Sequence, residues 1–275
     1  MIAEVIGGVR RQPGLAVAAV LLGLLVAAGD WLTPYSAEAL DWSTAAPAGP
    51  DFAHAHWLGT DALGRDAYAR LIEGARTSLA IALGGTLVAL LLGATLGTVA
   101  AFTGGALGTL LLRLVEASAV VPQVFVILLL SLAVGRGLGA VWLGIGLFGW
   151  LPVARLFRAE AAHVGAQPYT DAARQGGLGP VAVLFHHVMP NLLTPLLAAF
   201  TIVVPQFILT EGFVSFLGLG VQDPHASLGL LLAEAASSLE RAPWLLVGPA
   251  LVLVVLVAVL NAMADAVQRR RAVGA

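Results

Sequence analysis

Tyr169-Thr170-Asp171-Ala172-Ala173-Arg174-Gln175-Gly176-Gly177-Leu178-Gly179-Pro180-Val181-Ala182-Val183-Leu184-Phe185-His186-His187-Val188-Met189-Pro190-Asn191 is a mostly polar, glycine-broken island in an otherwise apolar chain. A polar segment between two apolar runs belongs at a water-exposed face, and the arginines around it point to the cytoplasmic one. Its local design is legible. Residues 161–175 suit a helix, and the run from Gly176 to Gly179 can break it with positive φ. Pro180 suits the first turn of a following helix. Val181, Leu184, Phe185 and Val188 then recur at i, i+3, i+4 and i+7 as one apolar stripe, with His186 and His187 off it and Pro190 as a stop. Such a short amphipathic helix can dock in a partner's groove or lie on the bilayer surface, and the periodicity fits both.

Composition sets the class. Of the 275 residues 59% are hydrophobic and only 11% charged, with a mean hydropathy of +0.92, so the chain is a polytopic, all-α membrane protein. Cysteine is absent, which excludes disulfides, thiolate metal sites and a cysteine nucleophile. Every basic residue is arginine; a Walker A loop needs its lysine, so the chain is no P-loop ATPase. A net charge of −2 gives no footing for a nucleic-acid partner.

About twenty apolar residues cross a bilayer as a helix. Six stretches qualify: 14–32, 78–102, 117–134, 138–157, 192–219 and 244–264. The fourth carries Gly139, Gly144, Gly146, Gly149 and Pro152, and the second carries Gly84, Gly85, Gly93 and Gly97. In lipid such residues let neighbouring helices approach closely, so these glycines read as packing surfaces and not as a nucleotide loop. Run 14–32 also has features of a cleavable signal, a basic start and small residues near its end, but is long for one. The apolar stretch 227–239 is short and carries Glu234, which suits an interfacial or re-entrant helix.

Arginine placement orients the spans. Arg10, Arg11, Arg113, Arg155, Arg158, Arg174 and Arg269 to Arg271 share one side, leaving Arg65, Arg70, Arg76, Arg136 and Arg241 on the other. Three of the latter lie in a long loop, where they weigh little. Both termini are therefore expected in the cytoplasm. The organisation is a cytoplasmic start and first span over 1–33, an external loop over 34–77, a membrane core over 78–264 and a cytoplasmic tail over 265–275.

Three stretches together resemble one family. Asp171-Ala172-Ala173, Gly177, His187 and the Met189-Pro190 pair are similar to the loop by which permeases of ATP-binding-cassette importers grip their ATPases. Asp171 stands for a usual Glu and Met189 for a usual Leu. The run from His56 to Asp66 with Gly74 to Leu79, and the run from Phe213 to Val221, resemble the second permease subunit of dipeptide, oligopeptide and nickel importers. Leu228 departs from the pattern, where a Trp is usual.

The resemblance implies the six-helix fold of a type I importer, with 159–191 as the loop coupling it to two ATPase subunits through Asp171, Ala172, Ala173, Gly177, Val181, Leu184, Phe185, His187 and Pro190. It also implies a homologous permease partner and an extracytoplasmic binding protein. It implies no cofactor and no catalytic residue. Di- or oligopeptides are the expected cargo, with nickel or a metal chelate as the alternative.

The remaining polar residues carry weaker signals. Asp51, His54, His56 and Asp61 have ligand types that suit a transition metal, but His-x-His recurs by chance and no metal site is assigned. Glu211 lies within the fifth span, where a charge costs on the order of 2.5–3.5 kcal/mol at the helix centre, so it should face protein or water. It is a candidate for the translocation pathway and equally for a buried hydrogen-bonding role. A secondary transporter or channel would call for paired intramembrane carboxylates, and Glu211 has no such companion in the sequence. Reporter fusions after Ala48 and after Ala166 should score outside and inside respectively; the same side for both would overturn the topology.

Overall fold

The computed structural model describes residues 24, 28, 31, 33–40, 47–102, 105–118 and 122–274. The expected first span, 14–32, lies almost wholly outside them. Among the described residues the chain is helical, with two isolated bridges, Asp51 to His56 and Thr60 to Asp66, in place of any strand. In chain order the helices are α1 (Ala67–Phe102), α2 (Gly105–Ser118), α3 (Gln123–Val134), α4 (Leu138–Gly165), α5 (Pro168–Gln175), α6 (Pro180–Val183), α7 (Leu193–Phe216), α8 (Leu228–Ser237) and α9 (Trp244–Gly274). Four are long and apolar enough to cross a membrane: α1, α4, α7 and the Trp244–Ala266 part of α9.

Two boundaries differ from the sequence reading. The second span begins at Ala67, not at 78, because Asp66 caps the helix: its Oδ1 accepts from the Ala69 amide at 2.7 Å. The helix therefore starts in the polar segment assigned to the external loop. The expected span over 117–134 is not one helix. Helix α2 ends at Ser118 and α3 starts after Pro122, whose missing N–H suits a helix start. At 12 residues α3 is about 18 Å long, short of a bilayer core.

Helix α1 is the axis of the fold, packed along α4 and crossed by α7. Water-driven burial cannot hold helices together in lipid, so close approach must. The glycines supply it. A Cβ at Gly93 would meet Val153 Cβ at 2.6 Å, and one at Gly85 would meet Ile145 Cγ2 at 2.5 Å. At Gly97 it would strike the Ala154 carbonyl, and at Gly84 the Trp142 ring. From the other side Gly144 receives Ile127 of α3, and Gly149 receives Phe207 of α7. Ile127, Ile145, Phe157, Phe207 and Ile208 fill the space between these helices. Helix α9 is peripheral: only 11% of its apolar window is buried, against 44–56% for the other three spans.

The α1–α4 seam yields a prediction. Gly97→Leu sets a side chain against backbone that cannot yield, and overpacking of this kind costs typically about 1–3 kcal/mol. The variant should show a lower melting temperature in detergent or fail to accumulate, while Gly139→Leu, with nothing within 4 Å of its Cβ position, should not.

Candidate functional site

Two sites stand at opposite ends of the span bundle. The first is the polar loop between α4 and α7. Helix α5 is tied to the end of α4, since Thr170 Oγ1 donates to the Val164 carbonyl at 2.9 Å and Arg174 Nη1 donates to the Gly165 carbonyl at 3.0 Å. Arg174 Nη1 also donates to Asp171 Oδ1 at 3.0 Å, which fixes the start of the Asp171-Ala172-Ala173 motif. Gly177 turns the chain with φ of +91°, a conformation that disfavours side chains, and the Leu178 amide closes the turn on the Ala173 carbonyl at 3.1 Å. Pro180 then opens α6 as expected.

Beyond Pro180 the stripe splits. Val183 and Val188 are fully buried and Leu184 partly so, while Val181 is 67% and Phe185 58% exposed. Leu184–Val188 is a π-helical turn, and its extra residue per turn breaks the period of 3.6 on which the stripe was counted. Pro190 does not stop the helical path. It sits in the short helical segment Met189–Asn191, which leads through Leu192 into α7. Pro190 falls in the first turn of that segment, where its missing N–H breaks no helical bond, and Asn191 Nδ2 donates to the His187 carbonyl at 2.6 Å. His187 tilts against Tyr169, joining the start of the loop to its end. Asp171, Ala172 and Gly177 are exposed, and Leu178, Val181, Phe185 and Met189 add apolar surface to the same loop.

Glu211 faces protein, as the cost of lipid exposure requires. It is fully buried, accepting from Ser78 Oγ and Ser215 Oγ, each at 2.7 Å. The same hydroxyls accept backbone amides in turn, Leu228 N on Ser78 Oγ and Val221 N on Ser215 Oγ, both at 3.1 Å. This network joins α1, α7 and the start of α8.

The second site was not anticipated. Arg65 and Arg70 draw together three carboxylates from distant parts of the chain. Arg65 Nε meets Asp61 Oδ2 at 2.7 Å and its Nη1 meets Asp223 Oδ1 at 2.6 Å. Arg70 Nη1 meets both Asp61 Oδ2 and Glu234 Oε2 at 2.6 Å. Burial disfavours the charged form of Asp61, but the Arg65 amide and the two guanidiniums outweigh it and hold the carboxyl below its ordinary value. For Glu234 burial wins over Arg70, and its carboxyl titrates above the ordinary value. Only Glu234, set in the apolar stretch 227–239, hinted at such a partner in the sequence. That stretch forms the ten-residue helix α8, capped by Ser227 Oγ on the Leu230 amide.

The residues weighed as metal ligands separate into pairs. His54 Nδ1 lies 2.7 Å from Asp51, His56 Nδ1 lies 2.8 Å from buried Asp66, and Asp61 belongs to the arginines. Tyr35 stacks on His56 at 4.4 Å between centroids and donates to the His54 carbonyl at 2.5 Å.

A multi-pass helical bundle with an exposed, structured loop between two spans defines a polytopic membrane protein. Comparison with known proteins identifies the family. Residues 89–273 match the family described as "Binding-protein-dependent transport system inner membrane component", and the chain belongs to it. It is 33% identical to the oligopeptide transport system permease protein of Escherichia coli (strain K12) over 246 residues, 90% of this chain and 81% of that one. It is 31% identical to the dipeptide transport system permease protein of Bacillus subtilis (strain 168), over 82% of this chain and 70% of that one. It is also 31% identical to the glutathione transport system permease protein of Pectobacterium atrosepticum, over 93% and 85%.

The arginine cluster is testable. Arg70→Met leaves Asp61 and Glu234 short of their shared counter-charge, a change that costs about 3–5 kcal/mol at buried pairs. A clear drop in detergent melting temperature at neutral pH is expected. The two carboxylates have opposite pH signatures. The stability from Asp61 is present above its ordinary value of 3.8 and is lost as pH falls through its lower folded value. That from Glu234 is present below its ordinary 4.5 and is lost as pH rises through its raised folded value. Asp61→Asn should remove the acid-side loss and Glu234→Gln the loss on raising pH, both read from melting temperature against pH.

Proposed function

We propose that this chain is the membrane-spanning permease subunit of an ATP-driven, binding-protein-dependent importer of di- or oligopeptides. The observation that carries the reading is the loop between α4 and α7. It is tied to the spans through Thr170 and Arg174, yet turns the apolar side chains of Val181 and Phe185 outward. Peptide cargo is supported by relatives described as oligopeptide and dipeptide permeases, and no observation favours nickel.

In this reading the chain forms half of the translocation pathway beside a homologous permease. A binding protein delivers cargo from outside, and two ATPase subunits grip the loops inside. Both termini are cytoplasmic. The chain contributes no chemical step. Closure of the ATPases on ATP moves the docked loop, and the spans rock between inward- and outward-facing states. The contact is a short helix set in a groove, with Phe185 and Val181 as anchors and Leu184 partly behind them. Asp171, Ala172, Ala173, His187 and Pro190 shape the loop around them. Glu211 stays the candidate pathway carboxylate, exposed when α1 and α7 part.

The test uses the assembled transporter. Phe185→Ala removes a central anchor and should cost roughly 2 kcal/mol or more of docking energy. Gly177→Val places a β-branched residue at positive φ. Both variants should insert and fold but lose the ATPases on purification and lose peptide uptake. Normal ATPase retention with normal uptake in both would reduce the loop to a surface helix.

A further inference from the structure

A cavity of about 220 Å³ opens where α9 begins, walled by the 58–65 loop, the first turns of α1, Asp223, the end of α8 and the first turns of α9. That is many times the roughly 10–15 Å³ a single water needs. All five members of the arginine cluster line it, so three carboxylates and two guanidiniums face one space. Two donors at this wall have no acceptor among the described residues: Arg70 Nε and Trp244 Nε1 are both buried and unpartnered. Arg70 itself is 0% exposed. A buried donor left unpaired costs about 1–3 kcal/mol, so an acceptor oxygen admitted beside these two side chains would be favoured. Its carboxylates have the complementary excess: the side chains of Asp223 and Glu234 are 53% and 31% exposed and hold capacity for a cation. A ligand that answers both demands is a small zwitterion, with an anionic oxygen group and an ammonium a few bonds apart.

The floor of the cavity indicates where that zwitterion comes from. Gly248 lines it, with Leu71 Cδ2 3.2 Å and Leu58 Cδ1 3.6 Å from where a Cβ would sit, so any side chain there presses these two lining residues into the space. Three and seven residues on, along the same face of α9, Leu251 and Val255 are 60% and 50% exposed. An apolar track therefore leads from the cavity down a membrane-spanning helix. Trp244 marks the level of the membrane interface, where an indole has its ring in apolar surroundings and its N–H at the polar boundary.

We propose that this cavity is a headgroup site for a zwitterionic aminophospholipid, its phosphate oxygens taken by Arg70 Nε and Trp244 Nε1, its ammonium by Asp223 and Glu234, and its acyl chains laid along Leu251 and Val255. The bound lipid would tie the 58–65 loop and α8 to α9, whose own packing against the bundle is slight.

The experiment uses the whole transporter in nanodiscs of equal parts phosphatidylethanolamine and phosphatidylglycerol, with retained lipid counted by native mass spectrometry after extraction into mild detergent. Phosphatidylethanolamine should be retained in several-fold excess. Trp244→Phe keeps the ring and removes the donor, and should cut that excess about fivefold, as one hydrogen bond of about 1 kcal/mol implies. Gly248→Leu fills the floor and should abolish it; co-purified ATPases report that each variant is assembled. Equal retention of the two lipids, or an unchanged excess in both variants, overturns the proposal. So does displacement of the lipid by millimolar dialanine that is itself retained, since that assigns the cavity to a soluble zwitterion. Uptake is not the readout, so the result stands apart from the transport assignment.

Discussion

The seam between α1 and α4 decides the rest of the structure. Two helices in lipid gain nothing from hiding apolar surface, because the solvent is as apolar as they are. What they gain is dispersion between backbones brought close, and that needs positions without side chains. Gly85, Gly93 and Gly97 of α1 receive Ile145, Val153 and the Ala154 backbone of α4. With those two helices in contact, Gly144 receives Ile127 of α3, Gly149, one turn on from Ile145, receives Phe207 of α7, and α3 and α7 take their places. The loop of α5 and α6 then has a fixed base, because its anchors are carbonyls at the end of α4.

Much of this was legible in the sequence. The glycines of the second and fourth apolar runs read as packing surfaces, and the structure uses all of them so but Gly139. The positive φ at Gly177 and the helix start at Pro180 follow from local chemistry and are found. The stripe from Val181 to Val188 was less legible. Periodicity assumes a uniform helix, and the π turn over Leu184–Val188 rotates Val188 inward while leaving Phe185 out. Pro190 reads as a stop from propensity alone, yet it falls in the first turn of a new helical segment, where its missing N–H is tolerated.

The arginine cluster was not legible, for a physical reason. Arg65 and Arg70 find Asp223 and Glu234 more than 150 residues away, and no periodicity encodes such a meeting. The sequence did contain Glu234 in an apolar stretch and Glu211 in a span, each a charge in costly surroundings. Both resolve in the same manner, by partners on another helix. Glu211 meets Ser78, and Glu234 meets Arg70, two residues of α1 eight positions apart. Helix α1 thus organises polar contacts along its first turns and apolar contacts along the remainder.

The length of α1 has a mechanical meaning. Its 36 residues make a rod about 54 Å long, well beyond the roughly 30 Å of a bilayer's hydrocarbon core. One end carries the arginine cluster, and the other reaches Phe102, whose ring approaches Gly165 at the base of the loop. A rod of that length magnifies rotation: a tilt of about 10° about one end carries the other through roughly 9 Å. Side-chain repacking at either end thus sets a far larger stroke at the opposite surface, with no part of the helix bending.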